Sequence, residues 1–197
     1  MKWRSCVCGL LVAAALTAVG EPAAANRPAA WAQPVALAGA PNLHRVTVGL
    51  YRSAQPDADG MRNLKQLGIK TVINLRAFHS DRDELGSTGL RSERLYLKTW
   101  HPEEEDAVRF LKIATDTNRQ PVLVHCQHGA DRTGTLCAVY RIAVQGWSRE
   151  EAIREMRQGG YGFHPIWKGL PEWILKLDID RLRQQAGITP PAKAQAP

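Results

Sequence analysis

Residues 121–146, PVLVHCQHGADRTGTLCAVYRIAVQG, change character twice within one short stretch. Pro121 to Val124 presents no polar side before His125, the pattern of a strand covered on both faces. Thr133 onward is an apolar helical segment that stops at Gly146. Between them one thiol, two imidazoles, an aspartate and an arginine crowd into a tight glycine-bearing turn. A buried strand that runs directly into a helix is the joint of an α/β domain, and open sheets of that class place ligand sites at such joints.

The rest of the chain repeats the alternation. Arg45–Ser53 reads as a strand, and Asp57 caps a helix carrying Met61, Leu64 and Leu67 that stops at Gly68. Ile69–Leu75 is a short β-branched strand, Ala77–Gly89 a polar loop, and Glu93–Lys98 an alternating strand. Acids in its first turn mark a helix over 103–116. Ser148 and Glu151 form a capping box for a helix ending at Gly159, and a last amphipathic helix spans about Pro171–Leu182. The expected fold is therefore a single α/β domain with a mainly parallel central sheet flanked by helices.

At 197 residues, with 44% apolar and 23% charged residues, the chain has the length and composition of one globular domain. Its ends read differently. Lys2 and Arg4 precede the apolar run Gly9–Val19, and Ala23–Ala25 offers small residues before Asn26, so residues 1–25 read as a cleaved signal peptide. The run is too short to span a bilayer, which argues for export, periplasmic or secreted, without stable membrane insertion. Residues 26–42, rich in Ala and Pro, read as a flexible lead-in, 43–187 as the domain, and 188–197 as a disordered tail. Beyond the leader only Cys126 and Cys137 remain, which excludes a disulfide scaffold. The net charge of +7 favours anionic partners, but no basic block interleaved with aromatics is present, so nucleic acid is not expected.

The turn itself suggests a reaction. Inward-pointing N–H groups of a tight loop, together with the positive end of the following helix, make an anion-binding hollow. Arg132, six residues after Cys126, can grip two oxygens of an oxyanion in a fork. A helix N-terminus and a guanidinium also favour the thiolate form of a cysteine. Thiolate, hollow and fork together suit attack on the phosphorus of a phosphate ester. Gly129 and Gly134 keep side chains out of the close approach, and the Thr133 hydroxyl can assist Cys126 as a leaving group.

HCQHGADRTG after PVLV resembles the Cys-x5-Arg signature of cysteine-dependent protein tyrosine and dual-specificity phosphatases. With YRIAVQGWSREEAIREMRQGGYGF downstream and an export-type N-terminus, the resemblance is to the small periplasmic dual-specificity phosphatases of Gram-negative bacteria and covers about residues 48–165. It implies a protein tyrosine phosphatase-like fold and phosphatase activity on phosphorylated proteins. It implies Cys126 as nucleophile, Arg132 as phosphate clamp, and Gln127, His128, Gly129, Ala130, Asp131 and Arg132 as the phosphate loop, with Thr133 assisting. No metal or cofactor is implied, and a monomer is expected. For the general acid two carboxylates compete. Asp131 stands beside the clamp in a Cys-x4-Asp-Arg loop, like that of phosphatases acting on phosphoinositides. Glu103 follows Trp100 and Pro102 in an imitation of a Trp-Pro-Asp loop, and Asp131 is placed first. A phospholipid head group or inositol phosphate is accordingly the alternative substrate, and a non-catalytic phosphate binder the alternative of another kind.

Of the remaining residues, His125 is expected to brace the loop and Cys137 to be a small core residue. Arg52, in LYRSAQP, reads as part of a structural lock. Residues 159–167, GGYGFHPIW, either line the pocket or pack a helix exit on the core.

Overall fold

A computed structural model describes residues 27–190. The signal peptide read from residues 1–25 and residues 191–197 of the tail lie outside the described residues.

Six strands form one sheet: β1 (Gln33–Pro34), β2 (His44–Arg45), β3 (Leu50–Ser53), β4 (Thr71–Asn74), β5 (Arg91–Arg94) and β6 (Val122–His125). Their spatial order is β1-β2-β3-β6-β4-β5. The pairs β3–β6, β6–β4 and β4–β5 are parallel, while β1 and β2 add an antiparallel edge. The strand that is apolar up to His125, β6, thus lies inside the parallel part of the sheet. Side chains of successive strand residues point to opposite faces, and the two cores follow that alternation. Val122 and Val124 pack into one core and Leu123 into the other. Ile73 and Val72 on β4 divide in the same way.

The smaller core is closed by α1 (Ala58–Gln66) and the short α2 (Arg82–Leu85), through Met61, Leu64 and Leu85. The larger is covered by α3 (Glu104–Thr115), α4 (Asp131–Gln145), α5 (Arg149–Gln158), α6 (Gly169–Lys176) and α7 (Ile179–Ala186). Helix α4 runs through the middle of that layer and buries most of its residues, which explains a sequence that is apolar on nearly every side. The caps form as the sequence requires: Asp57 Oδ1 accepts from Gly60 N at 2.7 Å, and Ser148 Oγ from Glu151 N at 3.1 Å.

Several boundaries differ from the sequence reading. The stretch 45–53 is a hairpin rather than one strand, because the chain turns between β2 and β3. The strand expected at 93–98 lies two residues earlier, at β5. The final helix is two, since the chain extends at Leu177 and Asp178 and the Asp178 side chain then caps α7 by accepting from Arg181 N.

The lead-in is a larger correction: residues 27–42 are part of the folded body. Trp31 and Ala32 are buried. The Trp31 indole donates to Glu151 at 2.8 Å, Ala32 N donates to Glu155 at 2.6 Å, and Gln33–Pro34 pair with β2. Ala- and Pro-rich composition hid this, because tertiary hydrogen bonds and one buried indole hold the segment rather than any periodic pattern. At the other end Ile188 packs partly against the larger core, so the ordered chain continues past residue 187.

Candidate active site

Cys126 follows the last residue of β6 and is almost fully buried. Residues 127–130 then curl into the N-terminus of α4. Each carbonyl from Gln127 to Ala130 is engaged, the first three by residues from elsewhere in the fold and the last by α4. Gln127 O accepts from Gln55 N at 3.2 Å and His128 O from Asn42 Nδ2 at 3.0 Å. Gly129 O accepts from an Arg52 guanidinium nitrogen at 2.7 Å, and Ala130 O from Gly134 N at 2.8 Å. By contrast, no backbone N–H from Gln127 to Arg132 donates to a protein acceptor among the described residues. Carbonyls tied outward and amides left free make a hollow with a positive lining, completed by the orphan N–H groups of the α4 first turn.

The turn depends on Gly129. It has φ +69°, and a Cβ there would stand 2.5 Å from Ser53 C and Ala54 N, so the loop backs directly onto the end of β3.

Behind the loop lies a polar brace. Ser53, His125 and Asn74 are neighbours on one rung of β3, β6 and β4. His125 Nε2 meets Asp81 Oδ2 at 2.8 Å, while Asp81 Oδ1 accepts from Asn74 Nδ2 at 2.9 Å and Gln55 Nε2 at 3.0 Å. Burial alone would raise the Asp81 carboxyl. The hydrogen bond and charge of His125, then the Gln55 amide and His79, outweigh it and hold Asp81 below its ordinary value. His125 therefore braces the loop, with a partner 44 residues upstream.

Arg132 is half-buried and donates to Leu75 O at 3.3 Å, which leaves most of its fork available. Arg132 and Gln127 line a cleft of about 200 Å³ whose other walls include Arg76, Phe78, Lys98 and Trp100. The cleft is basic on its sides and aromatic at its rim, since Phe78 is 96% and Trp100 67% exposed. The Thr133 hydroxyl is fully buried and has no hydrogen-bond partner among the described residues.

The two proposed acids occupy different settings. Both Asp131 oxygens are engaged by His164: Oδ1 accepts from the backbone N–H at 2.8 Å, and Oδ2 lies 2.8 Å from Nδ1. Glu103 is the residue before α3, half exposed, with Lys98 Nζ at 3.8 Å. Burial first, and then the Glu103 charge, push the nearby Asp106 carboxyl up. Neither Asp131 nor Glu103 lines the cleft itself, but Glu103 contacts a residue that does.

Arg52 is 1% exposed and serves the loop, its guanidinium 3.5 Å from the centroid of the Tyr161 ring. Residues 159–164 accordingly form a helix exit packed on the core, with Tyr161 under Arg52 and His164 on Asp131. Cys137 is a core residue whose thiol burial pushes up to about 11. Sequence reasoning missed Asn42, Asp81 and His164 as loop-holding residues. All three act across long sequence separations, and no local spacing announces them.

A family model described as a DSP-PTPase phosphatase fused to NAD+ kinase matches residues 32–166. The chain belongs to the dual-specificity protein tyrosine phosphatase family. This phosphatase is 37% identical over 182 residues to the dual specificity protein phosphatase TpbA of Pseudomonas aeruginosa, covering 88% of this chain and 82% of that one. It is 29% identical over 156 residues to the inositol diphosphatase DSP3 of Arabidopsis thaliana, covering 75% of each. Among solved structures it is similar to a Cys-to-Ser variant of P. aeruginosa TpbA in complex with phosphotyrosine. That match has a TM-score of 0.73 and 34% identity, and covers 82% of this chain and 99% of the other. The match to model, relative and structure establishes the fold and the phosphatase class that the Cys-x5-Arg turn implied.

Proposed function

We propose that this phosphatase hydrolyses phosphate monoesters of proteins, phosphotyrosine foremost, through a phosphocysteine on Cys126, and that it works outside the cytoplasm. The observation that carries the reading is the divided backbone of the loop, with every carbonyl from 127 to 130 engaged and every amide without an acceptor among the described residues. Such a lining neutralises a dianion without a metal, and Arg132 adds the fork that follows the phosphoryl group as its geometry inverts. Cys126 Sγ attacks phosphorus, the ester P–O bond breaks, and the leaving oxygen takes a proton from Glu103. Water then attacks phosphorus and gives its proton back to Glu103 while the S–P bond breaks, and inorganic phosphate leaves. Glu103 takes this role because Asp131 already spends both oxygens on His164, whereas Glu103 has one distant partner and sits on the segment that borders the cleft. The Thr133 hydroxyl, buried and unpaired, supports the sulfur as it departs.

The aromatic rim supports an aryl phosphate: Phe78 and Trp100 line the same cleft as Arg132 and offer ring surface to a phenyl group. A second reading rests on the same cleft. Arg76 and Lys98 flank Arg132 and would suit a multiply phosphorylated inositol, the kind of substrate named for the Arabidopsis relative. Export rests on the leader-like residues 1–25, and cell fractionation of a strain producing the full chain tests it directly.

The test of turnover uses phosphotyrosine peptide, inositol polyphosphate and wild-type, Cys126→Ser and Arg132→Lys proteins. Wild type releases phosphate fastest from the peptide and, on rapid quenching, carries phosphate on Cys126. Cys126→Ser binds the peptide without turnover, and Arg132→Lys loses most of both. Faster release from the inositol phosphate selects the second reading, and a wild type without turnover leaves only a phosphate binder.

A further inference from the structure

Beside the cradle lies a group of side chains to which the proposed reaction gives no step. His128, Asp131 and His164 each offer one ligand atom, and these atoms all lie within 4.8 Å of one another. They come from three places: the phosphate loop, the first turn of α4, and the segment before the 3-10 turn Pro165–Trp167. The imidazole rings of His128 and His164 are 5.3 Å apart and both residues are exposed, whereas Asp131 is buried.

We propose that these three residues form a binding site for a zinc-class divalent ion on the outer rim of the phosphate loop, distinct from the cysteine nucleophile. Two imidazoles and one carboxylate suit zinc and its neighbours. Ligand atoms on a tetrahedral zinc stand about 3.4 Å apart, given bonds of about 2.1 Å. Asp131 Oδ2 and His164 Nδ1 are 2.8 Å apart, and the widest separation is within 4.8 Å, so small rotations of two exposed rings close the site. The carboxylate is already aimed, because its other oxygen is held by the His164 backbone N–H. Such outer bonds fix ligand orientation in metal sites. Three protein ligands leave the fourth position to water. The alternative cluster, His79, Asp81 and Glu84, is a weaker host because Asp81 already serves His125, Asn74 and Gln55.

Bound metal would tie the phosphate loop, α4 and the segment around His164 into one clamp. It would also take the place of the Asp131–His164 side-chain contact.

The experiment titrates Zn2+ and Co2+ into metal-stripped protein by calorimetry and visible absorption, with wild type, Cys126→Ser, His128→Ala, His164→Ala and His164→Gln. Thermal melts in chelator confirm that each variant is folded. Wild type and Cys126→Ser should bind one ion, Co2+ giving d–d bands without thiolate charge transfer, and Zn2+ should raise the Tm of both. Each histidine variant should bind at least about tenfold more weakly, the size of effect that even supporting residues of metal sites produce, and should lose the Tm rise. Binding that vanishes in Cys126→Ser but persists in the histidine variants would place the ion on the thiol and overturn the proposal. Absence of binding to wild type overturns it as well.

Discussion

The Arg52 guanidinium donates to Gly129 O at 2.7 Å while lying 3.5 Å from the centroid of the Tyr161 ring, so one buried cation joins β3, the phosphate loop and the exit of α5. Arg is suited to this because its planar head stacks and donates together, which an ammonium cannot do. Arg52→Lys should therefore lower kcat by about 100-fold, the scale of effect when a remote change shifts a reacting group by an ångström. Phosphopeptide affinity of the same variant in a Cys126→Ser background should fall less. Unchanged kcat in Arg52→Lys would show that the loop holds its shape without this contact.

Leaving-group protonation separates the two carboxylates. Glu103→Gln should slow an alkyl phosphate by about 10²–10⁴-fold, the range for general acid catalysis, and slow an aryl phosphate bearing a good leaving group far less. Asp131→Asn should slow both substrates to a similar degree, because it disturbs the contact with His164 rather than a proton transfer. Steady-state rates on p-nitrophenyl phosphate and phosphoserine decide. An alkyl-selective loss in Asp131→Asn would transfer the role.

Stability should depend on mild acid through His44. Burial first, and the nearby Arg52 and Arg27 charges, lower its imidazole to about 4, against a partial opposing effect of the Asn42 carbonyl. The unfolded chain takes up this proton near pH 6.5 and the folded chain does not. Folding free energy is therefore complete above about pH 6.5 and erodes as pH falls toward 4, by about 2 kcal/mol at pH 5. Asp81 and Glu155, held low instead, lose their contribution only as pH falls below the ordinary carboxylate range. Urea melts of wild type and His44→Gln at several pH values should diverge within the His44 window.

Glu155 is the other buried hub. It pairs with Arg141 through two contacts at 2.7 and 2.8 Å, accepts from Ala32 N at 2.6 Å, and accepts from the Tyr161 hydroxyl at 3.1 Å. Glu155→Ala should cost about 3–5 kcal/mol, since it strands a buried guanidinium. Denaturant melts measure the loss. A variant within 1 kcal/mol of wild type, by the same scale, would mean that water or another acceptor rescues Arg141.

The parts of this molecule that were readable in its sequence are those written in adjacent residues. Strand β6, the turn after it and helix α4 follow from one apolar run, two glycines and a second apolar run. Asp57 and Ser148 announce their helices within three residues. What was not readable is held across distance. Trp31 is one aromatic in an Ala- and Pro-rich segment, and nothing near it in the chain says that Glu151 waits 120 residues on. Asp81 lies in a stretch read as a polar loop, yet it pairs with His125 at the end of the strand that leads into Cys126. Asp131 stands next to Arg132 in sequence and is placed first as the acid; its contacts with His164, 33 residues on, are visible only in the fold.

The cleft wall has a practical corollary for chemical probes. Ligands that draw their affinity from main-chain amides use a surface that any chain with this turn can copy, and they will discriminate poorly. Side-chain contacts in the same cleft come from Phe78 and Trp100, two large rings that face solvent, and a ligand that reaches them gains recognition the bare backbone does not supply.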